Sequence, residues 1–574
     1  MADIDLRSYV NWINESGGSF NKIQLVKDDD GNGRSVFATE TIQTNDSFAT
    51  IPFRLAISEP VARQAFPDLG DFSCRIVMSL FVAHQKALGS SFYAPYLNIL
   101  PTDIRTPFFF DSNDMKYLEH TNLALAVKER FESLRQTYEQ LMALASISDQ
   151  VKTLVTWDLF LWAHCAISSR SFPYKLIDPT YSNASSEVLF PLVDSLNHRP
   201  HTKITWSRSG DVATGSLTFV AGQPFAAGEQ VFNNYGPKSN EERILSFAIN
   251  DVVLLGYGFC LEDNQADHIA LKPNITRDPK ANEKLNILQR CNISSGNADH
   301  LTHYVHRQHI PPAYFKMMRV FVMNGAELAH YADCSDPGAL DFVGFRNELA
   351  MLSVTTALLQ SRVFAMKGDQ LNRTNPTWWQ KYALIYRDGQ EQLYNHTLDL
   401  IQSHKLQVLQ NMKKELDNKN LAPRAPFLSV LNPGHYQHGA SEGGSVFIPL
   451  ESVTITLKRL LAKDTAFKDI IDQLFEDIEE EEDVVLMLAL IHESTKADSP
   501  WAPFIKATQL DRAEYRDAET RMDLEDLYNS LFPAFSDAFP TVFDPTIYTP
   551  DNFLWAENVV SNYTIDNPLV VIPL

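Results

Sequence analysis

Two stretches of strand and turn character stand far apart in this chain, with a long run of helical period between them. The first holds Ser35-Val-Phe-Ala38 and Ser47-Phe-Ala-Thr-Ile51. The second, between Val188 and Phe259, holds Leu189-Phe-Pro-Leu-Val193, Lys203-Ile-Thr-Trp206 and Gly215-Ser-Leu-Thr-Phe219, separated by turn signals at Arg208-Ser-Gly-Asp211 and Ala227-Gly228. From about 59 to 170 the apolar residues recur three and four apart instead, as in Arg75 to Ala83 and Leu159 to Ile167, which predicts helices. The spacing predicts a further helix over Ile4 to Asn14 and a mainly helical region after about Pro273, for example Asn347 to Leu359 and Leu393 to Leu416. Loop-rich breaks are expected over Asp417 to Gly444 and Pro533 to Pro550. The expected class is α+β: a β-fold interrupted by a helical insert, followed by a helical C-terminal half.

At 574 residues the chain is too long for one hydrophobic core, so more than one structural unit is expected. Its formal net charge of -22 disfavours direct binding to a phosphate backbone and favours a basic protein partner. The five cysteines (Cys74, Cys165, Cys260, Cys291, Cys334) contain no Cys-x-x-Cys pair, which argues for reduced thiols rather than a disulfide framework or zinc module. The acidic opening, Met1 to Ser16, has no apolar signal region, and Val484 to Ile491 is far shorter than the roughly 20 residues that cross a bilayer, so no membrane segment is expected. A cytoplasmic location, with the nucleus as a second, is the corresponding expectation. The acidic run Glu476 to Asp483 reads as a solvated face or loop.

The signatures of P-loop nucleotide hydrolysis, of Gly-x-Ser-x-Gly hydrolases, of zincins and of Rossmann dinucleotide sites are all missing. His300, His303, His306 and His309 recur every three residues; on a helix they would drift around the axis and could not converge on one metal ion. More informative is Leu189-Phe-Pro-Leu-Val-Asp-Ser-Leu-Asn-His198, an apolar strand that runs into a polar cluster. Asn233-Asn-Tyr-Gly236 and Gly256-Tyr-Gly-Phe259 follow at strand and turn boundaries. Buried Asp, Asn and His at a strand end must find partners, and such groups either form a satisfied polar corner or mark a ligand site.

Taken in order, Asn32-Gly-Arg-Ser-Val-Phe-Ala38, Ser168-Ser-Arg-Ser-Phe172, Pro191 to His198, Gly228-Glu-Gln-Val-Phe-Asn-Asn-Tyr-Gly236 with Ser239-Asn-Glu-Glu242, and Gly256 to Phe259 resemble the motifs of SET-domain protein-lysine methyltransferases of the Rubisco large-subunit type. Around them, Pro95-Tyr-Leu-Asn-Ile-Leu-Pro101, Leu159 to Ile167 and Leu261-Glu-Asp-Asn264 look most like the fungal ribosomal-protein lysine N-methyltransferases. The resemblance covers about 20 to 270. It implies a SET domain over 20–262, with its helical insert at about 59–170, and a mainly helical C-terminal substrate-binding region over 270–574.

The resemblance also implies S-adenosyl-L-methionine as cofactor and a protein substrate, best guessed as a basic ribosomal protein of the large subunit. By motif match the cofactor is expected at Gly33, Arg34, Ser35, Arg170, Asn197, His198 and Tyr235. The target amine is expected between the carbonyls of Ser169 and Asp194 and the hydroxyl of Tyr257, with Tyr257 and Tyr235 as the catalytic tyrosines. Ser35 stands where many relatives have a second glycine. Between Glu242 and Tyr257 the chain carries Arg243 to Gly256, where relatives have a much shorter connection. Two rival readings accompany this one: a protein-histidine methyltransferase, and a non-catalytic SET-fold binding module.

Overall fold

The computed structural model describes residues 4–28, 33–234, 253–276, 278–293, 301–307, 309–368, 371–417, 455–475, 477–478, 481–499, 501–510, 518–565 and 570–571. It divides into two compact units, one formed by Met1–Ala270 with Arg362–Leu393, the other by Leu271–Ser361 with Tyr394–Leu574.

The first unit opens with helix α1 (Ile4–Glu15) and strands β1 (Ser19–Phe20), β2 (Ile23–Lys27), β3 (Arg34–Ala38), β4 (Ser47–Pro52) and β5 (Ile57–Ser58). Helices α2 (Glu59–Ala65), α3 (Cys74–Leu88), α4 (Ala94–Ile99), α5 (Ser112–Met115), α6 (Asn122–Ala143), α7 (Asp149–Leu154) and α8 (Trp157–Arg170) follow. The chain then returns to β6 (Ser171–Pro173), β7 (Glu187–Leu189), β8 (Ile204–Ser209) and β9 (Ser216–Ala221). Strands from before and after the helices close into the same antiparallel sheets, ordered β1-β4-β9-β8 and β5-β7-β6, while β2 pairs with β3. The registers Thr50↔Thr218 and Ile57↔Leu189 show the insert looped out between partners in a sheet. The expected β-fold with a helical insert is therefore present.

The insert stays attached because two of its helices are core helices. From Cys74 to Ala83 every residue of α3 but Arg75 is buried, and α8 is apolar nearly all round, with Phe160, Leu161, Trp162, Ala163, Cys165, Ala166 and Ile167 buried. A helix apolar on all faces is stable only inside a protein, and these two pack against each other. The Thr156 hydroxyl caps the start of α8 by accepting from the Leu159 N–H at 3.3 Å. The strand expected over 189–193 stops at Leu189. Pro191 offers no N–H to a ladder, Leu192 adopts φ +70°, and the chain turns into a short 3-10 segment, Val193–Ser195.

The second unit is mainly helical: α9 (Ala281–Arg290), α10 (Pro312–Phe321), α11 (Gly325–Tyr331), then α12 (Phe345–Lys367) and α13 (Trp378–Asp417), which each supply residues to both units. Helices α14 (Leu457–Lys463), α15 (Thr465–Leu474), α16 (Glu482–Ser494), α17 (Ala502–Leu510), α18 (Ala518–Ala538) and α19 (Pro550–Tyr563) complete it, around a core that buries Leu486, Leu490 and Trp555. The apolar run 484–491 is thus a core helix, and Glu482 and Asp483 sit in its first turn, where acidic groups suit the helix dipole. Among the described residues one helix, α12, is long and apolar enough to cross a membrane by length and composition alone; it also carries the buried polar residues Asn347, Glu348 and Thr355.

Three expectations need correction. His303–His306 is a strand, not a helix. His306 and His309 stack at 6.1 Å, and among the described residues no three metal-ligating groups gather; His300 lies outside them. Pro533 lies inside α18 rather than in a loop, because buried Phe532 and Phe535 carry the helix past it. The break expected over 417–444 begins inside α13, which includes Asp417, and from 418 on it lies outside the described residues. All five cysteines are free thiols.

His164, on α8, gives a first test of this packing. Burial, aided by the charges of Arg75 and Arg130, holds its imidazole down at about 3. In the unfolded chain the ring takes its proton near pH 6.5, so between about 6.5 and 3 the unfolded state binds more protons and stability falls as pH falls. Between pH 6.5 and 5 the loss is about 2 kcal/mol. Urea unfolding at pH 7 and pH 5 should show this loss reduced in His164→Asn, and equal losses in both proteins would refute it.

Candidate functional site

Strand β3 is the spine of the site. One edge pairs with β2, Ser35 opposite Val26. On the other edge the Val231 N–H donates to the Val36 carbonyl and the Ala38 N–H to the Glu229 carbonyl, each at 2.8 Å. The segment 229–233 then holds 197–199 beside it: the Asn233 N–H donates to the Asn197 carbonyl at 2.8 Å, and the Arg199 N–H to the Asn233 carbonyl at 3.0 Å. Three motifs scattered over two hundred residues thus form one hydrogen-bonded layer.

Ser35 is buried in β3 and uses its side chain. Its hydroxyl donates to Asp28 Oδ1 at 2.6 Å and accepts from Asn197 Nδ2 at 2.9 Å. Gly33 accepts the Asp28 N–H on its carbonyl at 3.0 Å, and a Cβ there would run into the Asp28 carboxylate. The Arg34 guanidinium reaches the Ile99 carbonyl at 2.8 Å, so this side chain ties β3 to the end of α4.

Below this layer lies a buried ionic cluster. Asp194 has a side chain 1 % exposed; its Oδ2 accepts from the Tyr96 hydroxyl at 2.7 Å and lies 3.6 Å from Arg170 Nη1. The same guanidinium nitrogen donates to the Asp194 backbone carbonyl at 2.9 Å. Burial pushes the Asp194 carboxyl above the usual carboxylate range, against the opposing pull of Arg170 and the Tyr96 hydrogen bond. Burial, then the charge of Asp194, pushes the Tyr96 phenol well up, which keeps it a donor. The positive φ of Leu192, two residues earlier, is a rare conformation for a branched side chain, of the kind that clusters at functional sites. Tyr96 was not singled out from the sequence, although it lies in the quoted Pro95 to Pro101 stretch; a tyrosine in an otherwise apolar helix turn was the available signal.

Ser169 and Arg170 end α8. The Ser169 hydroxyl folds back onto the Cys165 and Ala166 carbonyls, leaving its backbone as the part available to a ligand. The Phe259 ring lies 6.5 Å from His198 and 6.2 Å from Tyr257, so the Gly-Tyr-Gly-Phe motif meets the Asn-His motif through one aromatic ring. Tyr257 is half-buried at the end of a π-helical turn, Val253–Tyr257, that packs on α8. Tyr235, Ser239 to Glu242 and residues 243–252 of the extra segment lie outside the described residues.

Does this layer fit an adenosyl amino acid? Asn233 Nδ2 is buried with no partner among the described residues, a donor awaiting an acceptor beside His198. With the polar groups of Ser35 and Asn197 and the cation of Arg170, the set offers donors and acceptors for a nucleoside and a positive charge for a carboxylate, so the residues fit such a group.

Comparison with known proteins agrees with the architecture. Residues 33–236 match the family model of the SET domain. A solved structure of the SET domain of LSMT bound to lysine and AdoHcy superposes with a TM-score of 0.60 at 18 % identity, covering 74 % of this chain and 97 % of that one. Rubisco LSMT bound to sinefungin and monomethyllysine gives 0.59 at 19 %, covering 74 % and 98 %. The first unit has the SET fold. In sequence, a ribosomal lysine N-methyltransferase of Schizosaccharomyces pombe is 29 % identical over 66 % of this chain and 68 % of its own length. Ribosomal lysine N-methyltransferase 1 of Saccharomyces cerevisiae is 28 % identical over 32 % and 35 %, and the actin-histidine N-methyltransferase of Homo sapiens 24 % over 56 % and 53 %. The chain thus spans about two thirds of the first of these relatives, about a third of the second and about half of the third.

Proposed function

We propose that this chain is an S-adenosyl-L-methionine-dependent protein-lysine N-methyltransferase whose substrate is a basic ribosomal protein, of the large subunit, met in the cytoplasm or nucleus. The observation that carries this reading is the layer that brings Ser35, Asn197 and His198 together, with the Arg170–Asp194 pair as a separate buried cluster and Phe259 joining Tyr257 to His198. The similarity to the two yeast ribosomal lysine methyltransferases and the net charge of -22 support the substrate class. In this reading residues 270–574 bind the protein substrate.

Gly33, Arg34 and Ser35 would hold the amino-acid end of the cofactor through the β3 backbone, Arg170 its carboxylate, and Asn197 and His198 its adenosyl part; by motif order Tyr235 would join them. When bound, the cofactor supplies an electrophilic methyl group on a sulfonium. What remains for the chain is to present a neutral amine in line with it. A lysine with a pKa near 10.4 pays about 4 kcal/mol to be neutral at about pH 7.4. An apolar channel lowers that cost by disfavouring the charged form. The carbonyls of Ser169 and Asp194 and the Tyr257 hydroxyl would accept the amine's hydrogens and aim its lone pair. The Asp194 carbonyl already accepts from Arg170, but its second lone pair leaves room for the amine.

The test is incubation of the purified protein with methyl-labelled S-adenosyl-L-methionine and ribosomes lacking the modification. One labelled large-subunit protein carrying methyl-lysine is expected. Tyr257→Phe should lower the rate at least about tenfold with cofactor affinity unchanged, because it removes one acceptor from the channel. Methyl-histidine as product would instead favour the second reading, which the 24 % identity to the actin-histidine enzyme raises. Cofactor binding with no transfer to any protein would favour a binding module.

A further inference from the structure

Ser169 and Arg170 are flanked by two serines that the site itself does not use. The Ser168 hydroxyl accepts from Arg75 Nη1 at 2.7 Å, and the Ser171 hydroxyl donates to Glu187 Oε1 at 2.7 Å. Arg75 and Glu187 are themselves joined in a fork: Nε donates to Oε2 at 3.0 Å and Nη2 to Oε1. Glu187 has a side chain only 2 % exposed, and Arg75, on α3, is 18 % exposed. The fork therefore grips the α8–β6 junction from both sides, one hydrogen bond before Ser169 and one after Arg170.

Its second anchor matters as much. Glu187 opens β7, which pairs with β6 in the register Ser171↔Leu189 and runs on into the turn that carries Asp194. Arg170 then reaches across to the Asp194 carbonyl. An ion pair with bidentate geometry and little solvent holds its partners to a narrow set of positions, and small displacements of groups that orient a reaction are expensive. On the α3 side the Ser79 hydroxyl donates to the Arg75 backbone carbonyl at 2.6 Å, one turn along the helix.

We infer that Arg75 and Glu187 are positioning residues for the active site: their fork sets the end of α8 against β7 so that Arg170 and the Ser169 carbonyl face the cofactor and amine. This rests on the methyltransferase reading above. In this inference they act through Ser168, Ser171 and the backbone between them rather than by touching the reacting groups.

The experiment compares cofactor dissociation constants and thermal stability for the full chain, Arg75→Lys, Glu187→Gln and a control, Arg63→Lys. Lysine keeps the charge but cannot span both Glu187 and Ser168, whereas glutamine keeps an oxygen for Ser171. The control alters another ion pair of the insert, half-buried Arg63 Nε to Glu59 Oε1 at 2.7 Å; the same guanidinium also donates to the Leu69 and Phe72 carbonyls, away from α8. Arg75→Lys should weaken S-adenosyl-L-methionine binding about tenfold or more, Glu187→Gln by less, and Arg63→Lys not at all, even where all three lower the melting temperature. Equal dissociation constants in Arg75→Lys and the parent protein would overturn the inference while leaving the methyltransferase reading standing. Affinity lost equally in Arg63→Lys would reduce the fork to a general stabiliser and overturn it as well. No cofactor binding by the parent protein would overturn both.

Discussion

Gly258→Ala is expected to lower the unfolding free energy by about 3 kcal/mol or more and to reduce methyl transfer by at least about a hundredfold. Gly258 has φ +78°, where an L-residue is strained, and its N–H donates to the Leu254 carbonyl at 3.0 Å to close the turn that presents Tyr257. A Cβ there would meet backbone: the Arg105 carbonyl carbon at 2.7 Å, with its oxygen closer still. Backbone cannot swing aside as a flexible side chain can, so either the Arg105 segment or the Tyr257 turn must move. Gly228 supplies the comparison, since it has φ +81° but nothing within 4 Å of the position a Cβ would take. Gly228→Ala should therefore cost only the conformational strain, about 1–2 kcal/mol. Urea unfolding of both variants, with initial rates, separates the two contributions. Equal costs would show that the Arg105 approach is not rigid.

The second large effect belongs to the helical unit. Glu348 on α12 is fully buried, and its carboxylate meets the guanidinium of Arg319 on α10, Oε1 to Nε and Oε2 to Nη2 at 3.2 Å, while Arg319 Nη1 donates to the Leu340 carbonyl at 3.1 Å. Removing one partner leaves a buried charge without compensation. Glu348→Ala should therefore cost about 3–5 kcal/mol in chemical denaturation. Replacing both charges with shape-matched apolar residues, Arg319→Met with Glu348→Leu, should recover most of that loss, since the desolvation of two ions disappears with their attraction. If the double replacement is as unstable as the single one, the pair is needed for more than charge balance. A candidate reason stands next to it: Arg346, Glu327 and Asn347 form a second buried network on α12 and α11, and Asn347 Nδ2 donates both to Glu327 and to the Arg319 carbonyl, so the two networks share a residue.

Much of the first unit was legible because its elements announce themselves locally. The alternation in Lys203 to Phe219 and the helical spacing in α3 and α8 are short-range patterns, and they marked the insert and the strands around it to within a few residues. The site motifs were legible because their order resembled a known family. What escaped was each feature set by a distant partner or by a single dihedral angle. No local pattern says that Leu192 would take a positive φ and end the strand early, that the Ser35 hydroxyl would bridge Asp28 and Asn197, or that Tyr96 would lie on Asp194. The histidine repeat was argued on helical geometry, yet His303–His306 is a strand, because nothing in closely spaced histidines distinguishes the two. Likewise, residues 362–393 cluster with the first unit although their helices read as continuous with the second, since periodicity reports which face is apolar and not what covers it.

That late return has a consequence for the order in which the chain matures. The apolar underside of the Tyr257 turn, Leu254, Leu255 and Cys260, packs with Tyr117, Leu118 and Leu123 from the insert and with Ala383, Leu384 and Tyr386 from α13. During synthesis the Tyr257 turn therefore leaves the ribosome more than a hundred residues ahead of part of its own cover. At roughly 5–20 residues per second that is an interval on the order of ten seconds, in which this surface must be kept from other nascent chains. A stop codon anywhere between the SET motifs and Tyr386 would leave every sequence motif intact and the turn half bare.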